Sequence, residues 1–132
     1  MLVQKEFFMI EAISTCFAPK AIGPYSQGVQ TSSLLFCSGQ LPVDPVSGQM
    51  PQSAEEQARQ SLRNVQSVLE ASGCSLDSVV KVTIFLADMT DFSAVNEAYA
   101  AFFKKPYPAR SCFAVAALPK NAKLEIEAIA AK

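Results

Sequence analysis

The chain has 132 residues, half of them hydrophobic and 17% charged, with a net charge of −1 and no histidine. That is the size of one domain with ample core, outside the low-hydrophobicity, high-charge range of disorder. Its eleven Lys and Arg residues are scattered, which argues against a grip on a nucleic-acid backbone; no apolar stretch approaches the roughly 20 residues that span a bilayer.

Residues 1–8, MLVQKEFF, precede a second methionine, Met9, and lack a signal core with a cleavage site. They read as a disordered extension or an alternative start, and residues 9–132 as a single domain. A first strand is expected over 10–15, followed by a turn-rich stretch in which Gly23-Pro24 is the strongest punctuation. Two short strands over 25–30 and 34–39 flank the polar turn Thr31-Ser32-Ser33. Residues 41–52 carry three prolines and a glycine and form a loop.

Ser53 and Glu56 are spaced as a capping box, Ala58, Leu62, Val65, Val68 and Leu69 recur at helical period, and Gly73 supplies a stop. VVKVTIFLA over 79–87 is rich in β-branched residues and reads as a buried strand. Asp91 is placed to cap a second helix running to about residue 103, before Pro106 and Pro108 forbid its continuation. Two further strands, 110–117 and 123–130, complete an order ββ(β)αβαββ. The expected class is α+β, a mixed sheet with two helices on one face; oligomerisation would cover the other face.

The lack of histidine excludes a Ser-His-Asp triad, His-bound zinc and an imidazole base. The four cysteines stand 21, 37 and 38 residues apart, with no metal-ligand spacing, and are expected to be free thiols in a reducing, cytoplasmic setting. No cofactor or metal motif is present.

Arg110 opens an apolar strand with Cys112 on the same face. A guanidinium there suits a substrate carboxylate, or alternatively a structural salt bridge. Glu125 and Glu127 project opposite Leu124 and Ile126. One of them could pair with the arginine or hold a water as the acid-base group, or both could be merely solvated. Cys112 has no histidine to activate it and fits a small buried hydrophobe as well as a nucleophile. Tyr25 offers a hydroxyl beside a constrained turn, or an aromatic lid on the core. Ser38 and Gly39 could present backbone to a ligand. Asn96 lies off the Phe92, Val95, Tyr99 stripe of the second helix, where a solvated side chain is the ordinary reading.

AIGPYSQG (21–28), CSGQLP (37–42), QARQSLRN (57–64), the Asp91-Phe92 to Asn96 segment, PARSC (108–112) and LEIEAIA (124–130) follow in the same order as in the reactive-intermediate deaminase family, also known by the names RidA, YjgF and UK114, which the chain resembles from Met9 onward. The resemblance implies a chorismate-mutase-like fold of the bacillus type, assembled as a homotrimer with clefts between subunits. It implies hydrolysis of enamines and imines such as 2-aminoacrylate and 2-aminocrotonate to 2-keto acids and ammonia, without a cofactor. By motif position, Arg110 would bind the substrate carboxylate and Glu125 would place or activate the water. Tyr25, Asn96, Ser38, Gly39 and Cys112 would line the pocket.

The segment 104–107 is shorter than the family's usual pattern, which implies an altered cleft rim. Two other activities stay open: an endoribonuclease or translation inhibitor, also attributed to members of that family, and a non-catalytic trimer that binds small carboxylates or acts as a chaperone.

Overall fold

The computed structural model describes residues 10–132; the extension expected over residues 1–8 lies outside the described residues. Six strands form one sheet: β1 (Glu11–Ile13), β2 (Gly28–Gln30), β3 (Leu34–Gln40), β4 (Val79–Leu86), β5 (Ala109–Ala114) and β6 (Leu124–Ala131). Their order across the sheet is β1-β2-β3-β6-β4-β5, and only the β4–β5 pair is parallel. Two helices, α1 (Ala54–Glu70) and α2 (Phe92–Ala100), supply the crossovers. The α+β class, the mixed sheet and the element order agree with the sequence reading.

The core lies between the helices and one face of the sheet. Leu62, Val65, Val68 and Leu69 of α1 and Val95 of α2 pack on Leu35, Val82, Ile84, Leu124 and Ile126, all at most 1% exposed. On the other face Phe36 and Phe113 are 42% and 46% exposed, and the Phe85 and Phe113 rings meet edge-on. Among the described residues no helix is long and apolar enough to cross a membrane.

Local signals were right in kind and wrong at their ends. Ser53 caps α1 by accepting from the Glu56 N–H at 3.1 Å, which is one half of the expected capping box. Gly73 sits two residues past the Ala71 C-cap with φ +83°, so it turns the chain away after the helix has ended. Asp91 occupies the N-cap position of α2, but its side chain makes no capping hydrogen bond. Asp88 instead accepts from the Thr90 N–H at 2.9 Å and caps a short 3-10 turn leading into α2. The helix then stops at Ala100, three residues before the expected limit. The strand expected over 25–30 shrinks to Gly28–Gln30, and the Gln27 side chain just before it turns to the loop, donating to Ala18 O and Pro19 O.

Candidate functional site

Strand register decides which site residues can meet. Val82 pairs with both Arg110 and Ala128, whereas Phe85 pairs with both Phe113 and Glu125. Paired residues share a face and adjacent residues alternate. Arg110 and Cys112 therefore lie on the helix side of the sheet, and Glu125 and Glu127 on the open side.

On the helix side, the Arg110 guanidinium sits over the Tyr99 ring at 4.7 Å and near the Phe92 ring at 5.7 Å. Its Nη1 donates to Asn96 Oδ1 at 2.8 Å. Phe92, Asn96 and Tyr99 stand at i, i+4 and i+7 on α2, so Asn96 shares the aromatic face rather than lying off it. Among the described residues no carboxylate lies within 4.0 Å of Arg110. It is a cation oriented by an aromatic shelf and one neutral acceptor, with the rest of its fork available to an anion.

Cys112 follows on the same face. Burial pushes its thiol above the ordinary range, and the nearby Arg110 charge pulls it back only in part. A protonated thiol is a poor nucleophile, so the structure supports Cys112 as a half-buried wall.

On the open side, a cleft of about 840 Å³ lies where β3 leaves the sheet and β6 enters it. Tyr25, Ser38, Gly39 and Glu125 all line it, together with Lys20, Asp44 and Lys120. Glu125 lies directly on Gly39: a Cβ at that glycine would stand 2.6 Å from Glu125 Oε2. The glycine is thus required by the glutamate, a reason distinct from close approach of a ligand. A bulge in the β3–β6 register between Cys37 and Gln40 accompanies the contact.

Ser38 spends its polar groups locally: the N–H donates to Gln27 O at 2.9 Å and the hydroxyl to Ser26 O at 2.6 Å. Tyr25 is 54% exposed and stands at the cleft edge rather than over the core. Burial raises the Glu125 carboxyl, and the neighbouring Glu127 charge raises it further. A raised carboxyl moves toward the pH range where it can exchange protons.

Five of the residues singled out from sequence, Tyr25, Ser38, Gly39, Glu125 and Glu127, thus line one cleft, while Asn96 and Cys112 flank the Arg110 guanidinium on the opposite face. The expectation that a glutamate of β6 could pair with Arg110 fails within one copy of the chain, because the register points them apart. Sequence reasoning missed the Tyr99 and Phe92 shelf, whose signal was the i, i+4, i+7 spacing with Asn96. It also missed Lys20, Asp44 and Lys120, loop residues that no periodicity marks. The short 104–107 segment connects α2 to β5, and Lys104 reaches Asp77 at 3.7 Å.

This is a small α+β domain in which Arg110 and Glu125 lie on opposite faces of one mixed sheet. The family model for Endoribonuclease L-PSP matches residues 15–132. The 2-iminobutanoate/2-iminopropanoate deaminase of Salmonella typhimurium is 50% identical over 127 residues, covering 94% of this chain and 99% of that protein. The protein of the same name from Capra hircus is 52% identical over 119 residues, covering 89% and 87%. The crystal structure of E. coli TdcF with bound serine superposes with a TM-score of 0.89 at 49% identity, covering 92% of this chain and 98% of that one. The chain belongs to the endoribonuclease L-PSP family, which is the RidA/YjgF family.

Proposed function

We infer that the protein is an enamine/imine deaminase, a hydrolase that converts 2-iminobutanoate, 2-iminopropanoate and their enamine tautomers to 2-keto acids and ammonia. The observation that carries this reading is Arg110, an oriented guanidinium with no carboxylate partner among the described residues. Relatives at about half identity over most of the chain bear the deaminase name, and the related TdcF structure holds serine, a small carboxylate.

Arg110 grips the substrate carboxylate through its free fork, with Asn96 fixing the other edge. Glu125 holds the water that adds to the imine carbon. The water proton passes to Glu125 and on to nitrogen; the carbinolamine then collapses and ammonia leaves. The imine is already electrophilic, so placement and one proton-transfer group suffice without cofactor or strong nucleophile. Tyr25, Ser38, Gly39 and Cys112 shape the pocket.

Since Arg110 and Glu125 face opposite ways in one subunit, the working site joins the Arg110 side of one subunit to the Glu125 cleft of its neighbour. A homotrimer of the chorismate-mutase-like type provides three such junctions and covers the apolar sheet face. The protein acts in the cytoplasm, where dehydratases release these imines.

The test generates an imine in situ with an amino-acid oxidase and lets semicarbazide compete for it. The protein is expected to suppress semicarbazone formation, with Arg110→Ala and Glu125→Ala inactive yet folded. A wild-type protein that suppresses nothing across several imines overturns the reading. An RNA-cleaving role, which the family's name carries, would require cleavage that survives stringent purification and depends on the same residues.

A further inference from the structure

Three irregular segments wall the Glu125 cleft: residues 19–25 after β1, residues 41–48 after β3, and residues 119–120 before β6. Backbone in such segments has no ladder to satisfy it, and three buried carboxamides tie the chain in or beside them: Gln27, just before β2, and Gln57 and Asn64. Gln27, 4% exposed, donates to Thr15 O, Ala18 O and Pro19 O at 3.0, 3.2 and 2.7 Å and accepts from the Thr15 N–H at 2.7 Å.

The other two ties come from α1. Gln57, 4% exposed, donates to Pro51 O at 2.8 Å and accepts from the Lys123 N–H at 2.9 Å. Asn64, 1% exposed, donates to Leu41 O at 3.0 Å and to Val43 O at 2.9 Å, and its own Oδ1 accepts from Gln60 Nε2 at 3.0 Å.

The spacing between these two residues is seven, which puts both on one face of α1, two turns apart. Their targets bracket a single contact. Leu41 follows Gly39 by two residues, Lys123 precedes Glu125 by two, and the Glu125 carboxylate lies against Gly39, where a Cβ would stand 2.6 Å from its Oε2. A helix on the back of the sheet therefore grips both strands at the point where the front of the sheet carries its carboxylate.

We propose that Gln57 and Asn64 are positioning residues for Glu125, setting the distance between the end of β3 and the start of β6 and so the place and solvation of that carboxylate in the cleft. Carboxamides suit the task because each offers donor and acceptor together and keeps both at every pH. A carboxylate in either place would lose the donors and face bare carbonyl oxygens. The proposal goes beyond the deaminase reading in assigning residues that touch no substrate, and it rests on that reading only where activity is measured.

Two readouts keep the two apart. Carboxyl-carbon NMR titration of Glu125 in the full-length oligomer reports its solvation whether or not any imine is hydrolysed. Glu127, Tyr25, Lys20, Asp44 and Lys120, the groups sharing its cleft, are unchanged throughout. The variants are Asn64→Asp, isosteric but without the two-donor amide, and Gln57→Asn, which keeps the amide and withdraws it by one methylene. Val65→Ala, in the same helix and 1% exposed, loosens the core without touching either loop.

Gln57→Asn is expected to lower the Glu125 titration midpoint toward the ordinary carboxylate range, and Asn64→Asp, whose new carboxyl also acts on Glu125 as a like charge, to displace it from the wild-type value. They are also expected to reduce kcat about 10- to 100-fold, as a displacement near 1 Å does, with KM for the imine changed far less because Arg110 lies elsewhere. Val65→Ala is expected to lower Tm and leave both readouts at wild-type values. The proposal is overturned if the folded Gln57→Asn and Asn64→Asp proteins keep the wild-type midpoint and kcat. It is equally overturned if Val65→Ala shifts the midpoint as far as they do.

Discussion

Arg110 Nη1 donates to Asn96 Oδ1 at 2.8 Å, a neutral acceptor where a structural arginine would have a carboxylate. The choice of amide over acid leaves the positive charge uncompensated for an anionic ligand. Asn96→Asp, nearly isosteric, converts the contact into an ion pair that competes with the substrate carboxylate. It is expected to raise KM for imino acids several-fold while leaving Tm at or above wild type. Steady-state kinetics beside a thermal melt check this; an unchanged KM would mean that Arg110 does not bind the carboxylate.

Arg110→Lys keeps the charge and loses the planar fork that lies on Tyr99 at 4.7 Å. A charge-assisted contact is worth about 1.5–3 kcal/mol. The lysine variant is therefore expected to lose about 10- to 100-fold in kcat/KM, chiefly through KM. Full activity in the lysine variant would reduce the role of Arg110 to that of a point charge.

Gly39→Ala places a methyl 2.6 Å from Glu125 Oε2. The carboxylate must swing away, since the backbone on both sides is held by the sheet. Activity is expected to fall far more than stability, with kcat lost and oligomeric state kept. If Gly39→Ala retains wild-type kcat, Glu125 does not act from the position described here.

Burial, and then Glu127, raises the Glu125 carboxyl. Holding and deprotonating water requires the ionised form, so kcat/KM should rise with pH through a midpoint above the ordinary carboxylate range. Glu127→Gln removes the like charge and is expected to move that midpoint down, by less than the full displacement because burial is the larger cause. Linkage has the matching sign: a carboxyl whose folded pKa lies above its unfolded value adds stability below the unfolded pKa, and that stability is lost as pH rises through the folded one. Glu125→Gln is thus expected to abolish activity while matching or exceeding wild-type stability at neutral pH. A pH series of rates and melts checks both signs.

The elements with strong period were legible in the sequence. The α1 stripe, the β-branched run of β4 and the alternation of LEIEAIA along β6 predicted faces that the structure keeps, with Leu124 and Ile126 buried and Glu125 turned away. The helix starts were less legible because caps compete: Asp88 and Asp91 are both capping residues three apart, and the extra 3-10 turn selects the first. Register was not legible at all. That Val82 aligns with Arg110 while Phe85 aligns with Glu125 comes from long-range pairing, and it alone separates the two halves of the site. The loop walls were equally hidden, since Gln27, Gln57 and Asn64 act over sequence separations of up to 66 residues.

Because Arg110 and Glu125 face opposite ways within one subunit, the proposed reaction needs a site assembled from two copies. Subunit complementation tests that directly: Arg110→Ala and Glu125→Ala proteins, each inactive on an in situ imine, are denatured, mixed in equal amounts and refolded together. Random assembly should join an intact Arg110 to an intact Glu125 at about one quarter of all subunit junctions, restoring about that share of wild-type activity. A co-refolded mixture with mixed oligomers and no more activity than its parents, beside an active wild type, would place the chemistry within single subunits and contradict the account.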